Sequence, residues 1–281
     1  MDPITPDSVL AGVWLKLSHA RDVLDVLLAE ISRVLEAGSM SPPRNNCDGT
    51  FSALYQPAEE PYPEMGLMLG DFAHCARSAL DNLITVLVLQ NGRQPIRDNA
   101  FPIYDDPDKW ADSVGKRYPK ERGPLAHVSQ AAYDTIESLQ PFQDVPGGVP
   151  ADNLLAVLSR VNNADKHAML HTAAVTSAPV DQEVLRVEPP TAEVEIIWTR
   201  PPFEPLVFGA EQTRYRFVSA MPSEWVVYIN WPLVVHFTDH AGRTVPYFQL
   251  GDIYNAVGRT IDACLGSSHE TGSAKDTPGR V

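Results

Sequence analysis

Two residues near the middle of the chain have the types and the spacing for acid–base chemistry on a phosphate. Arg160 and His167 stand seven positions apart. On a helix that spacing brings two side chains within about 20° of each other, two turns apart along the axis. An imidazole changes charge near neutrality and can carry a proton. A guanidinium is a permanent cation with a planar fork of donors, suited to a phosphate or to the charge that builds on it in a transition state. Together they make half of a site for cleaving a phosphodiester. RNA brings its own nucleophile, the 2′-hydroxyl, so such a site needs no metal and no cofactor. The pattern predicts Arg160 and His167 as the reactive pair.

A polar cluster surrounds them: Asn162, Asn163, Asp165 and Lys166. On a helical wheel Leu154, Leu158, Val161, Ala168 and Met169 define an apolar face, and Asn162 and Asp165 fall inside its arc. A carboxylate buried without a partner costs several kcal/mol, so Asp165 requires a cation or strong donors. An earlier helix offers Arg77, and Asp81, four residues later, can hold the guanidinium from the other side. The expectation is an Arg77–Asp165 pair between two helices. Two readings of this cluster stand open: a scaffold that fixes helix register, or support for the reactive pair. His167 and His171, four apart, have metal-compatible spacing with His74 as a third ligand. The glutamate that follows the first histidine of a zinc-protease helix is absent, and no metal is expected.

Helices must position these groups. Residues 7–37 repeat apolar side chains at three- and four-residue steps from Leu10 to Leu35, with Asp7 as a cap and Gly38 at the end. A second helix is predicted over 64–89, a third over 124–139 with Pro124 in its first turn, and a fourth over 152–170 capped by Asp152. Asp48-Gly49 followed by Phe51, Ala53 and Tyr55 predicts a hairpin near 41–56. The period then changes to two. Strands are expected over 184–187, 194–199, 214–218, 225–230, 233–238 and 244–247. Aromatic residues are dense there, and core packing is their default. Helix returns at 250–265.

The fold class that follows is α+β: an antiparallel helical bundle with an appended antiparallel β-sheet and a C-terminal helix packing back on the bundle. The division is 1–170 for the bundle with its hairpin, 171–248 for the β-rich region, 249–265 for the last helix and 266–281 for a disordered tail.

Composition bounds the function. The 281 residues include 22 basic and 36 acidic side chains, a net charge of −14, which disfavours a broad face for nucleic-acid backbones. Cys47, Cys75 and Cys264 form no CxxC pair and no disulfide framework, and Cys75 reads as an inert buried thiol. His19, His127, His236, His240 and His269 are scattered and read as surface or incidental residues. No phosphate loop with Lys-Ser/Thr and no GxSxG elbow is present. The acidic start and a longest apolar run of seven residues, Leu83 to Leu89, predict a cytoplasmic protein with no membrane segment.

A late bundle helix carrying Arg, six intervening residues and His resembles the HEPN superfamily (higher eukaryote and prokaryote nucleotide-binding), through Arg160 and His167. The resemblance covers roughly residues 60–172. It implies a metal-independent endoribonuclease of a toxin or anti-phage defence system, with RNA as partner, acting as a homodimer in which the motifs of two protomers meet in one cleft. Arg160 would stabilise the phosphate and His167 would serve as acid and base. Family members often have a polar residue after the arginine, whereas this chain has Val161. The alternative is a non-catalytic helical interaction or regulatory module with a protein partner, in which Arg77, Asp81, Asn162, Asn163, Asp165 and Lys166 are structural.

Overall fold

The structure, a computed structural model, describes residues 5–38, 40–56, 61–116, 122–143, 148–166, 172–177, 185–188, 192–202, 204–221, 223–229, 233–239 and 242–270. The protein is α+β. Its chain divides into two compact units. One comprises Met1–Asp25, Met68–Met169 and Phe248–Val281; the other Val26–Leu67 and Leu170–Tyr247. The predicted boundary near 170 therefore has a second counterpart earlier in the chain, because the hairpin segment groups with the later strands.

Two long helices, α1 (Pro6–Glu36) and α2 (Pro63–Gln90), carry the apolar stripes read from the sequence, and they pack closely. In the helical unit a Cβ on Gly12 of α1 would meet the Asn82 amide of α2 at 3.9 Å. Val13, Leu17 and Leu24 are buried, as are Leu69, Phe72, Ala76, Leu80 and Leu83. Each fully buried valine, leucine or phenylalanine among them contributes roughly 1.5–3 kcal/mol of apolar burial. Gly92, at φ 67°, ends α2: its N–H reaches the Leu89 carbonyl and the Arg93 N–H reaches that of Val88.

A short α3 (Pro107–Trp110) is capped by Asp106 and continues into one π-helical stretch, Ala111–Lys116. The third predicted helix is shorter than expected. α4 spans Gln130–Ser138, with Ser129 as its cap, and does not begin at Pro124. Gly123 and His127 both hold positive φ, 96° and 68°, and break any helix between them. α5 runs Leu154–Lys166; the residues 167–170 of the predicted fourth helix lie outside the described ones. α6 (Gln249–Glu270) packs on α4 and α5 and buries Leu250, Ile253, Val257 and Ile261. It continues past 265 into what reads as tail, so 266–270 are helical. The Arg21 guanidinium of α1 stands 5.6 Å from the centre of the Tyr254 ring of α6.

The sheet-rich unit corrects one expectation: among the described residues its strands make three antiparallel sheets, not one. A four-stranded sheet has the order β1 (Arg44–Asn45), β2 (Phe51–Leu54), β6 (Glu211–Phe217), β5 (Val194–Thr199). A second sheet joins β3 (Thr172–Ser177), β8 (Leu233–Thr238) and β9 (Thr244–Pro246), and a third pairs β4 (Leu185–Glu188) with β7 (Val226–Ile229). The hairpin at Asp48-Gly49 is present, and β2 continues into β6 with Phe51 opposite Tyr215. That long-range pairing is why 26–67 belongs with 170–247. Phe51 stacks on Tyr215 at 6.0 Å and meets the Trp225 ring edge-on at 5.2 Å, so these aromatics pack on one another.

Candidate functional site

The helix predicted to carry chemistry is set by its cap. Asn153, not Asp152, caps α5, its Oδ1 accepting the Leu155 N–H at 2.8 Å; Asp152 closes the preceding 3-10 turn, Pro150–Asp152. Leu155 takes the buried place expected of Leu154, beside Leu158, Val161 and Ala164. Asn162 is buried as the wheel predicts, at 2% exposure, and its Oδ1 has no hydrogen-bond partner among the described residues. Asn163 is exposed. Arg160 is half-buried, and its Nη1 donates to the Ala151 carbonyl at 3.3 Å. The guanidinium thus turns toward the N-terminal end of α5, the direction in which helical side chains lean. Asp165 and Lys166 are helical, but their side chains lie outside the described residues, as do His167 and His171 entirely. The expected Arg77–Asp165 pair and the approach of Arg160 to His167 fall there too.

On α2 the expected Arg77–Asp81 pair forms, Nη2 to Oδ1 at 3.1 Å, with the Arg77 side chain 14% exposed. The pair has a third member that the sequence does not reveal. Arg77 Nη2 donates to the carbonyl oxygen of Phe101, and the Phe101 N–H donates to Asp81 Oδ1 at 2.9 Å. The two side chains clasp both backbone groups of one residue, whose ring is fully buried. They fix the loop that follows α2. Asn99 continues that fixation, its Nδ2 donating to the Pro124 and Ala126 carbonyls at 3.2 and 3.0 Å.

Among the described residues, cavities open in the helical unit, two of which are lined by polar groups. One, of about 380 Å³, is lined by Gln140, Gln143, Asp152, Asn153, Arg259 and Thr260 among others. Gln140 is buried and fully engaged: Nε2 donates to the Pro102 and Ile136 carbonyls, and Oε1 accepts the Tyr104 N–H. The other, of about 500 Å³, is lined by Arg93, Arg122 and His127 beside Tyr133. None of these four was a site candidate from sequence. They are scattered over forty positions with no common period, and His127 reads there as incidental.

Elsewhere the polar groups close on each other. Arg214 grips Glu211 with Nε and Nη2 at 2.9 and 2.8 Å, and the buried Ser52 hydroxyl donates to the same carboxylate. The Arg214 guanidinium holds the Glu211 carboxyl below its ordinary pKa against the opposing effect of burial. His236 corrects another expectation: it is 3% exposed in β8, and burial lowers its pKa. Cys75 is buried with its thiol pKa raised by desolvation, and Cys264 is pushed up to about 12 for the same reason. Among the described residues no three His, Cys, Asp or Glu side chains converge as for a metal. No protein-family model, curated protein or solved structure matches this chain.

Proposed function

We propose that this chain is a HEPN-like helical-bundle module that binds or regulates a partner, with its Arg/Asp/Asn cluster holding the fold rather than doing chemistry. The observation that carries this reading is the direction of Arg160. Its guanidinium donates to Ala151, nine residues earlier, at the start of α5. His167 lies outside the described residues. A guanidinium engaged by backbone at that end of α5 serves the fold. The clasp of Arg77 and Asp81 on Phe101 points the same way, since both side chains serve the backbone. The net charge of −14 favours a protein partner or a local site over a broad RNA surface.

The test pairs two measurements. Purified protein incubated with single-stranded RNA in EDTA leaves the RNA intact. Arg160→Ala lowers the melting temperature by about 2–4 °C, as loss of a hydrogen bond worth about 1 kcal/mol requires in a chain of this size. Cleavage that disappears in His167→Ala, with Arg160→Ala melting like the parent, would replace this reading with the metal-independent endoribonuclease.

A further inference from the structure

We propose that the cavity between the end of α2 and the start of α4 is a binding site for a small phosphate monoester. The starting point is how this protein treats its arginines. Arg21, Arg33, Arg77, Arg200, Arg214, Arg216 and Arg243 each meet a carboxylate within 4.0 Å. In a chain with 36 acidic residues that is the expected fate of a guanidinium. Arg44, Arg93, Arg97, Arg122 and Arg259 have no ion-pair partner among the described residues, and of these Arg93 and Arg122 line one and the same cavity. Among the described residues no Asp or Glu lines it with them. Two cations facing one space, with no carboxylate beside them among the described residues, select an anion, and a dianion over a monoanion.

The surrounding wall is built rather than incidental. His127 sits in the left-handed region at φ 68°, uncommon for a non-glycine residue. It is held there from three sides. Its Nδ1 lies 2.9 Å from the Gln94 carbonyl, which can only accept, so that nitrogen carries the proton. Asn91 Nδ2 donates to the His127 carbonyl at 2.9 Å. Asn99 ties down Pro124 and Ala126 just before it. The cavity also takes in Ser129 and Gln130, at the N-terminal end of α4, where the helix dipole favours negative charge. Arg93 stands at the carbonyl end of α2, which its charge suits on structural grounds. Arg122 stands in a loop and has no such role.

Volume decides the rest of the ligand. About 500 Å³ is in the range of small-molecule sites and far exceeds a bare phosphate. The remaining wall is apolar and aromatic: Val114, Leu125 and Tyr133. The ligand therefore carries an apolar group on its phosphate. This inference stands apart from the role of α5, and no result with RNA bears on it.

Titration calorimetry with phenyl phosphate tests it, with inorganic phosphate, phenol and benzoate as the other arms. Phenyl phosphate binds more tightly than all three, and Arg93→Gln and Arg122→Gln each weaken it by about tenfold or more. Both side chains are exposed, so the variants melt like the parent without ligand. Absence of heat for phenyl phosphate and for inorganic phosphate overturns the proposal. So does equal affinity for benzoate, which makes the site one for a carboxylate, or binding that survives the double variant.

Discussion

The two units bury polarity in opposite ways. In the helical unit the core is leucine, isoleucine, valine and phenylalanine, and its buried polar side chains among the described residues are Gln140, Asn162 and Thr260. In the sheet-rich unit Ser52, Thr176, Ser177, Gln212, Thr213, His236 and Asp239 are all buried. The cause is geometric. A helix satisfies its own backbone and offers a wide stripe to a single apolar face, so a polar residue there needs a dedicated partner, as Arg77 has in Asp81 and Phe101. Strands alternate their side chains across two faces, so every second residue is directed at the opposite side and short hydroxyls can bond between neighbours. The open cations, Arg93 and Arg122, then belong to the unit whose interior is most apolar, and they sit at its edge.

If that contrast holds, the largest loss in the helical unit comes from apolar truncation. Phe72 is 1% exposed on α2, and Phe72→Ala is expected to cost about 3–5 kcal/mol in chemical denaturation. Arg77→Met comes next, at about 2–3 kcal/mol. That is below the usual cost of opening a buried pair, because the Asp81 side chain is 34% exposed and keeps its bond to the Phe101 N–H. An Arg77→Met loss exceeding that of Phe72→Ala would break the contrast, since the helical unit would then depend chiefly on that polar clasp.

The same contrast explains what could be read from the sequence. The long helices α1 and α2 were legible to within one or two residues, because a repeated apolar stripe is a local signal written many times over. Strand β3 was not. Thr172–Ser177 is short and rich in small residues, and it becomes a strand through its pairing with β8, about sixty positions later. The start of α4 was misplaced because proline at a first turn is only a permission, whereas the Ser129 side chain accepting the Ala132 N–H is the bond that begins the helix. Within the candidate site, Arg77–Asp81 was legible as an i,i+4 pair. Its bond to Phe101 was not, since a loop backbone twenty positions away leaves no side-chain pattern. Arg93, Arg122 and His127 were invisible for the same reason.

The sheet-rich unit should respond to acid through His236. Burial lowers its pKa below the ordinary 6.5. The folded state therefore takes up its proton later than the unfolded chain as pH falls. The stabilisation is complete above 6.5 and is lost between that value and the lowered one, at up to about 1.4 kcal/mol per pH unit. Denaturation followed across that window should show the slope in the parent and lose it in His236→Gln. An unchanged slope in the variant would assign the acid sensitivity to carboxylates instead.

The smallest effect has the most telling sign. Tyr215 in β6 is fully buried, stacks on Phe51, and its hydroxyl has no hydrogen-bond partner among the described residues. Burial alone raises its pKa, as it should for a phenol with nothing to support the charged form. A buried donor without a partner costs about 1 kcal/mol or more, and phenylalanine fills the same space without it. Tyr215→Phe should therefore stabilise the protein by about 1 kcal/mol, or about 2–4 °C in melting. Ser52 is the control. It lies on the neighbouring strand, equally buried, but its hydroxyl donates to Glu211 and accepts from Asn46 Nδ2 at 2.7 Å, so Ser52→Ala should destabilise. Opposite signs at the two positions would show that buried polarity in this unit is stabilising only where it is bonded. A loss at both would mean that the Tyr215 hydroxyl is bonded after all.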